Sequence, residues 1–389
     1  MAKSVKRNAA LLATLLAILL AGCHRSPPPA QFHADGRPAM LSDWHMVEAR
    51  DGKLQLNAGV VPYNLNTPLF TDYVHKLRTI WMPKGVAAKY DAKNTFDFPV
   101  GTVISKTFYY PRVDKGSAAD GKFSDVARTL DYSGDFVGED LNLASVHLVE
   151  TRLLVRRKDG WTPFVYVWNP AQTDAALVRT GDVQALTLVD AQDRREDFNY
   201  VVPDEGQCVN CHEADMIGRS ILPIGPKARH LNREYDYGSG RANQLEHLLA
   251  LGYLMDMPRL ADVPKDADWR DPSASLDARA RAYLDINCAM CHNPHGEASV
   301  TGFSLGPDVP EDHHLGICKS PEAAGPATGG RLFDIVPGKP DESILMHRIG
   351  STRPGVMMPE IGRSTVDREG EALIRDWILS LKGNCDIVH

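Results

Sequence analysis

Cys208-Val209-Asn210-Cys211-His212 and Cys288-Ala289-Met290-Cys291-His292 repeat one pattern, two thiols three positions apart with an imidazole directly after the second. No other feature constrains the fold as much. Thiols at that spacing serve as a redox dithiol, as half of a zinc site or, with the adjoining His, as the attachment point of a c-type haem. In the last case the thiols add to the porphyrin vinyl groups and the His is held beneath the iron as proximal ligand. Zinc is disfavoured because 77 residues separate Cys211 from Cys288, against about 15 to 20 in compact four-cysteine sites. A thioredoxin-like site would place one motif inside a βαβ pattern, and neither motif has one. The expectation is therefore two c-type haems, attached at Cys208, Cys211, Cys288 and Cys291, with His212 and His292 on the irons.

The first residues bear on the compartment. Lys3, Lys6 and Arg7 precede an apolar run from Ala9 to Leu20, which is too short to make a good membrane span and reads as an export signal. The run ends at Leu20-Ala21-Gly22-Cys23, which resembles the lipobox of bacterial lipoproteins. That resemblance implies removal of residues 1–22, a lipid on Cys23, and anchorage to the cell membrane or the outer membrane with the rest of the chain in the periplasm. Pro27-Pro28-Pro29 makes residues 23–40 an extended tether. Loss of the leader takes three cations from 43 and leaves 40 against 50 acidic residues, a balance of −10. A surface of that sign does not suit nucleic acid.

Two of the seven cysteines remain, Cys318 and Cys385. In an oxidising compartment they are a candidate disulfide.

The chain divides by pattern. Residues 41–200 read as a β-rich domain, with strands expected at Thr102–Tyr110, at Leu153–Arg157 and Pro163–Trp168 around the turn Lys158-Asp159-Gly160, and at Val183–Val189. Residues 201–272 and 273–389 read as two haem regions of helices and long loops. Helical stripes are expected over Asn243–Leu254, over Leu276–Asn287 leading into Cys288, and from Val366 to Leu381 with Ser364 or Thr365 as N-cap. The last two resemble the crossing helices of class I cytochromes c. The expected fold class is α+β multidomain, a β-rich N-terminal domain followed by mainly α cytochrome c-like domains.

For the second iron, Met357-Met358-Pro359 lies between the motif and the last helix, where cytochromes c commonly place an axial methionine just before a proline. Met358 is the expected ligand, with Met357, His347 and His295 as competitors. A thioether favours ferrous iron, so such a pair raises the potential relative to two imidazoles. For the first iron Met216, His230, His247, Met255 and Met257 stand open, as does an unligated sixth position. Ile224-Gly225-Pro226 and Leu305-Gly306-Pro307 resemble the loop whose proline carbonyl accepts the proximal imidazole's outer N–H.

Further stretches resemble a family of bacterial dihaem c-type cytochromes. They are Tyr63-Asn64-Leu65-Asn66-Thr67-Pro68-Leu69-Phe70-Thr71-Asp72-Tyr73, Phe164-Val165-Tyr166-Val167-Trp168-Asn169, Pro223 to Asn232, and Val336 to Ser343, together with both haem motifs. The resemblance implies a membrane-tethered envelope protein and supplies no substrate. Three functions fit these residues. One is electron transfer to a periplasmic redox partner protein; another is a peroxidase-like oxidoreductase with an open first haem; the third is a haem-linked binding or sensor module.

Overall fold

The computed structural model describes residues 28–113, 124–132, 136, 140–212, 221–322 and 325–385; Cys23 and Met216 lie outside them. Six strands form an antiparallel meander whose spatial order follows the chain: β1 (Val61–Tyr63), β2 (His75–Trp81), β3 (Val103–Pro111), β4 (Val146–Arg157), β5 (Gly160–Trp168) and β6 (Ala175–Leu177). β-Branched and aromatic residues dominate β3 to β5, as a pleated surface packed on both faces favours. The β4–β5 connection is the two-residue turn Lys158-Asp159.

Side chains alternate between the two faces. Leu77, Val103, Leu153, Val155, Phe164 and Tyr166 point to one face and bury a core with Trp44, Leu54 and Leu141 under the small sheet of Val47–Arg50, Lys53–Leu56 and Asp140–Asn142. The opposite face is divided. At one end Phe108, Tyr110 and Val165 meet Leu186, Leu188, Phe198 and Tyr200 of the hairpin formed by Asp182–Val189 and Arg195–Val202. At the other end Ile80, Ile104 and Leu154 share a core with Ala228, Leu231, Leu245, Leu248 and Ile286. The hydrophobic core thus runs through residue 200 without a break.

Mainly α haem domains are not what the chain forms. Strand makes up 28% of the structure and helix 20%, and only three helices reach seven residues among those described. They are Gln244–Ala250, α1 (Leu276–Asn287) and α2 (Arg368–Ser380). The physical reason is that the stretch holding Ala228, Leu231, Leu245 and Leu248 borrows its core from the sheet, while the later stretch, with a core of its own around α1 and α2, satisfies much of its loop backbone with buried side chains rather than helical turns. Arg363 shows the device: its guanidinium donates to the carbonyls of Arg348, Ile349, Ser351, Met358 and Thr365. The helix expected over Asn243–Leu254 is shorter because Asn243 caps it and Gly252, at φ +73°, turns the chain away.

α1 and α2 pack on each other around Leu284, Leu373, Ile374 and Trp377. Gly370 permits the approach, since a Cβ there would lie 2.4 Å from the Tyr283 hydroxyl. The N-cap of α2 is Asp367 rather than Ser364 or Thr365. Those two give their N–H groups to the Asp72 carboxylate at 2.7 to 3.0 Å instead.

Candidate functional site

The first motif forms a single helical turn, Cys208–His212, reached from the end of strand Arg195–Val202 through a turn in which Asp204 and Gln207 exchange side-chain to backbone hydrogen bonds. His212 donates from Nδ1 to the Leu222 carbonyl at 2.7 Å. A donating Nδ1–H leaves Nε2 with its lone pair, the tautomer a metal ligand needs.

The second motif follows directly from α1, which Ser275 caps by accepting from the Ala278 N–H. His292 N donates to the Cys288 carbonyl, and the Asn293 amide holds the carbonyls of Ala289 and Met290. His292 stacks on Phe303, and its Nδ1 lies 3.3 Å from the Thr301 hydroxyl. Thr301 donates its own proton to the Ala298 carbonyl, so its oxygen accepts from His292 and Nε2 is again left as the free ligand. Neither outer N–H uses a proline carbonyl, contrary to expectation. Pro226 O receives Thr95 and Phe96, and Pro307 O receives Arg281.

Burial pushes both imidazoles down to about 4, with Lys106 also acting on His212 and Arg348 on His292. Neutral rings at pH 7 are the form that binds a metal. Burial pushes the Cys288 thiol up to about 12 and raises that of Cys208.

The two motifs meet. The Cys211 and Cys291 thiols are within hydrogen-bonding reach, which lowers the pKa of Cys211 and raises that of Cys291. Cys291 Sγ also lies 3.5 Å from the Asn210 carbonyl. A cavity of about 420 Å³ opens at this junction, lined by Cys211, Cys288, Cys291, His292, Arg348 and Met358 among others. That volume lies in the range of cofactor pockets. Its lining includes the set expected around the second iron: both thiols of the second motif, the imidazole of His292 and the thioether of Met358. These residues fit a haem.

Met358 is held in place by its backbone, its N–H donating to Arg348 O and its carbonyl accepting twice from Arg363. Met357 is buried outside the cavity lining, His295 is exposed, and His347 lies beside Gly329. Among the described residues no three of the motif thiols and imidazoles bring their ligand atoms within 4.8 Å of one another. A shared tetrahedral metal centre requires that convergence.

Among the described residues, the first-iron candidates His230, His247, Met255 and Met257 do not line the cavity. His230 is buried with Nδ1 2.8 Å from Asp266 and Nε2 3.4 Å from Asp285, in a network with Arg229. His247 stacks on Tyr237, Met255 is exposed, and Met257 packs on the core beneath the sheet. Cys318 and Cys385 are joined in a disulfide. Arg348, which lines the cavity, and Arg363, which holds the Met358 carbonyl, are the residues that sequence reasoning missed, and neither had a signal in the sequence. No helix of the described residues is long and apolar enough to cross a membrane.

Comparison with family models, with curated proteins and with solved structures gives no match. The likeness to dihaem cytochromes rests on the residues quoted for it.

Proposed function

We propose that this chain is a dihaem c-type cytochrome of the bacterial envelope, tethered through lipid on Cys23, that relays electrons between a periplasmic redox protein and a second carrier. The observation that carries the reading is the contact between Cys211 and Cys291. Two motifs 77 residues apart in sequence meet at their second thiols, so porphyrins attached there would adjoin along their thioether edges. Haem supplies the one-electron chemistry; the chain supplies orientation, potential and access.

Each residue has a role in that division of labour. Cys208 and Cys211 fix one porphyrin, and Cys288 and Cys291 the other. His212 and His292 present Nε2 because Leu222 and Thr301 occupy Nδ1. Met358 lies in the same cavity as His292 and would complete the second iron with a ligand that favours the ferrous state.

The test is to purify the chain from a host that attaches c-type haem and measure haem content, intact mass and spectra. Two haems per chain, retained after acid extraction, are expected. A colourless polypeptide at the mass of bare protein overturns the reading. Carbon monoxide bound at one haem, with turnover of peroxide, would replace the relay with an enzyme.

A further inference from the structure

Two groups of metal-ligand side chains converge away from the cavity among the described residues. His230, Asp266 and Asp285 are one, and there Arg229 already holds Asp285. Asp312, His313 and His314 are the other: a carboxylate oxygen and one nitrogen of each imidazole lie within 4.8 Å of one another. Consecutive side chains point to opposite faces of a strand and about 100° apart around a helix. The short turn His313–Leu315 instead brings two consecutive imidazoles together, with ring centres 3.9 Å apart and planes tilted by 39°.

These ligand atoms are accessible, and the backbone beneath them is fixed. Asp312 is half-buried and both imidazoles are exposed. Asp312 Oδ1 stands 2.9 Å from His314 Nδ1, the separation of two ligands that bind one ion at about 2.0 to 2.1 Å with a right angle between them. Asp312 also caps the turn by accepting the His314 N–H at 2.8 Å, which accounts for the carboxylate but makes no demand on the His313 ring. On the inner side the Asp312 carbonyl accepts the N–H groups of Leu315 and Ile317, the His314 carbonyl accepts that of Ser304 at 2.7 Å, and Leu315 is fully buried. Cys318 follows, joined to Cys385. Ligands carried on a fixed turn lose little freedom when an ion binds.

We propose that Asp312, His313 and His314 form a surface site for a divalent transition-metal ion, with copper(II) the tightest occupant. Imidazole nitrogens suit that class of ion, whereas magnesium and calcium take oxygen ligands. Copper(II) stands highest of the first-row divalent ions for such donors. The ion takes the place of the proton between Asp312 and His314, so binding releases a proton. Three protein ligands leave a coordination position open toward solvent. The turn is also joined to the second motif, since Ser304 adjoins Phe303, whose ring stacks on His292. The three ligands are not among the cavity's lining residues, and the site stands apart from the dihaem reading.

The experiment titrates copper(II) into the purified full chain, followed by calorimetry and electron paramagnetic resonance, and repeats it with His313→Ala, His314→Ala, the double variant and Asp312→Asn. The tightest copper should show hyperfine coupling to two imidazole nitrogens, a measurement on the unaltered chain that needs no variant. Each single histidine variant should weaken it at least about tenfold, and the double variant should abolish it. Asp312→Asn, which still caps the turn, should weaken it too. Binding that the double variant leaves unchanged overturns the site and shows adventitious copper only, held by other histidines or by thiols. Coupling to a single nitrogen overturns the shared pair. Zinc bound here more tightly than copper overturns the assignment of the ion. Each of these results leaves the dihaem reading untouched, and a chain without haem leaves the site untouched in turn.

Discussion

At the scale of single residues, the site is built by side chains that satisfy backbone rather than by helices. Met358 sits in a loop whose carbonyls converge on one buried guanidinium, Arg363, and this is why a thioether on irregular chain can hold a fixed position. Met358→Ala is expected to abolish the far-red absorption band of the ferric second haem and to lower its potential, with two haems retained. An unchanged band would remove Met358 as ligand. The two thiol pairs stood out in the sequence because their spacing is a chemical pattern independent of fold. Arg363 and Arg348 did not, since an arginine in a loop carries no sign of the carbonyls it will meet. The proline carbonyls were misassigned for a related reason: a Gly-Pro pair marks a turn but not the donor that turns toward it.

Among elements, the strands and helices that sequence revealed were those with clean periodicity. β3, β5 and α1 start and stop within a residue or a few of where pattern placed them. β2 was hidden by its own inward cations, Lys76 and Arg78, which break the apolar alternation. Strand Arg195–Val202 was hidden by a charged first half, although Phe198, Tyr200 and Val202 alternate inward. Helix α2 carries a pH dependence. Asp367 accepts from the Gly370 N–H and the Tyr283 hydroxyl, and its burial nevertheless raises its carboxyl to about 6. A folded value above the unfolded one means the native state binds the extra proton, so this group's contribution to stability is present below about pH 4 and lost as pH rises through about 6. The loss is at most about 3 kcal/mol. Asp367→Asn keeps one acceptor oxygen for the Gly370 N–H, offers its NH2 to the Tyr283 oxygen in place of the other, and should flatten that slope in urea denaturation measured from pH 4 to 7; an unchanged slope would sink the assignment.

For the whole molecule, the error in fold class has one cause. Helical stripes imply mainly α domains only if helices enclose the whole of each core, whereas the core beneath Ile80, Ile104 and Leu154 is shared with the sheet and the one around α1 and α2 is completed by loop residues such as Leu305, Leu315 and Ile335. The Cys318–Cys385 disulfide closes a loop holding Arg348, Met358, Arg363 and α2. A closed loop of that length lowers the entropy of the unfolded chain by about 4 kcal/mol at room temperature. Cys385→Ser should lower stability by an amount of that order in chemical denaturation while haem content holds; no measurable change would show that the loop is already constrained without it.

The stretch from Tyr63 to Tyr73 is stitched to partners from every later region. Asn66 takes the backbone of Arg229 and His230, Thr67 that of Ala267, Phe70 the Asn287 side chain, Asp72 the Ser364 and Thr365 amides, and Tyr73 the Glu369 carboxylate. Cutting the chain near residue 200 removes each of these partners, lays open the apolar face of Ile80, Ile104 and Leu154, and takes from Asp72 the amides of Ser364 and Thr365. The sheet is therefore expected not to be a portable module: a proteolytic fragment or gene fusion ending near residue 200 should expose this apolar face and lose its fold.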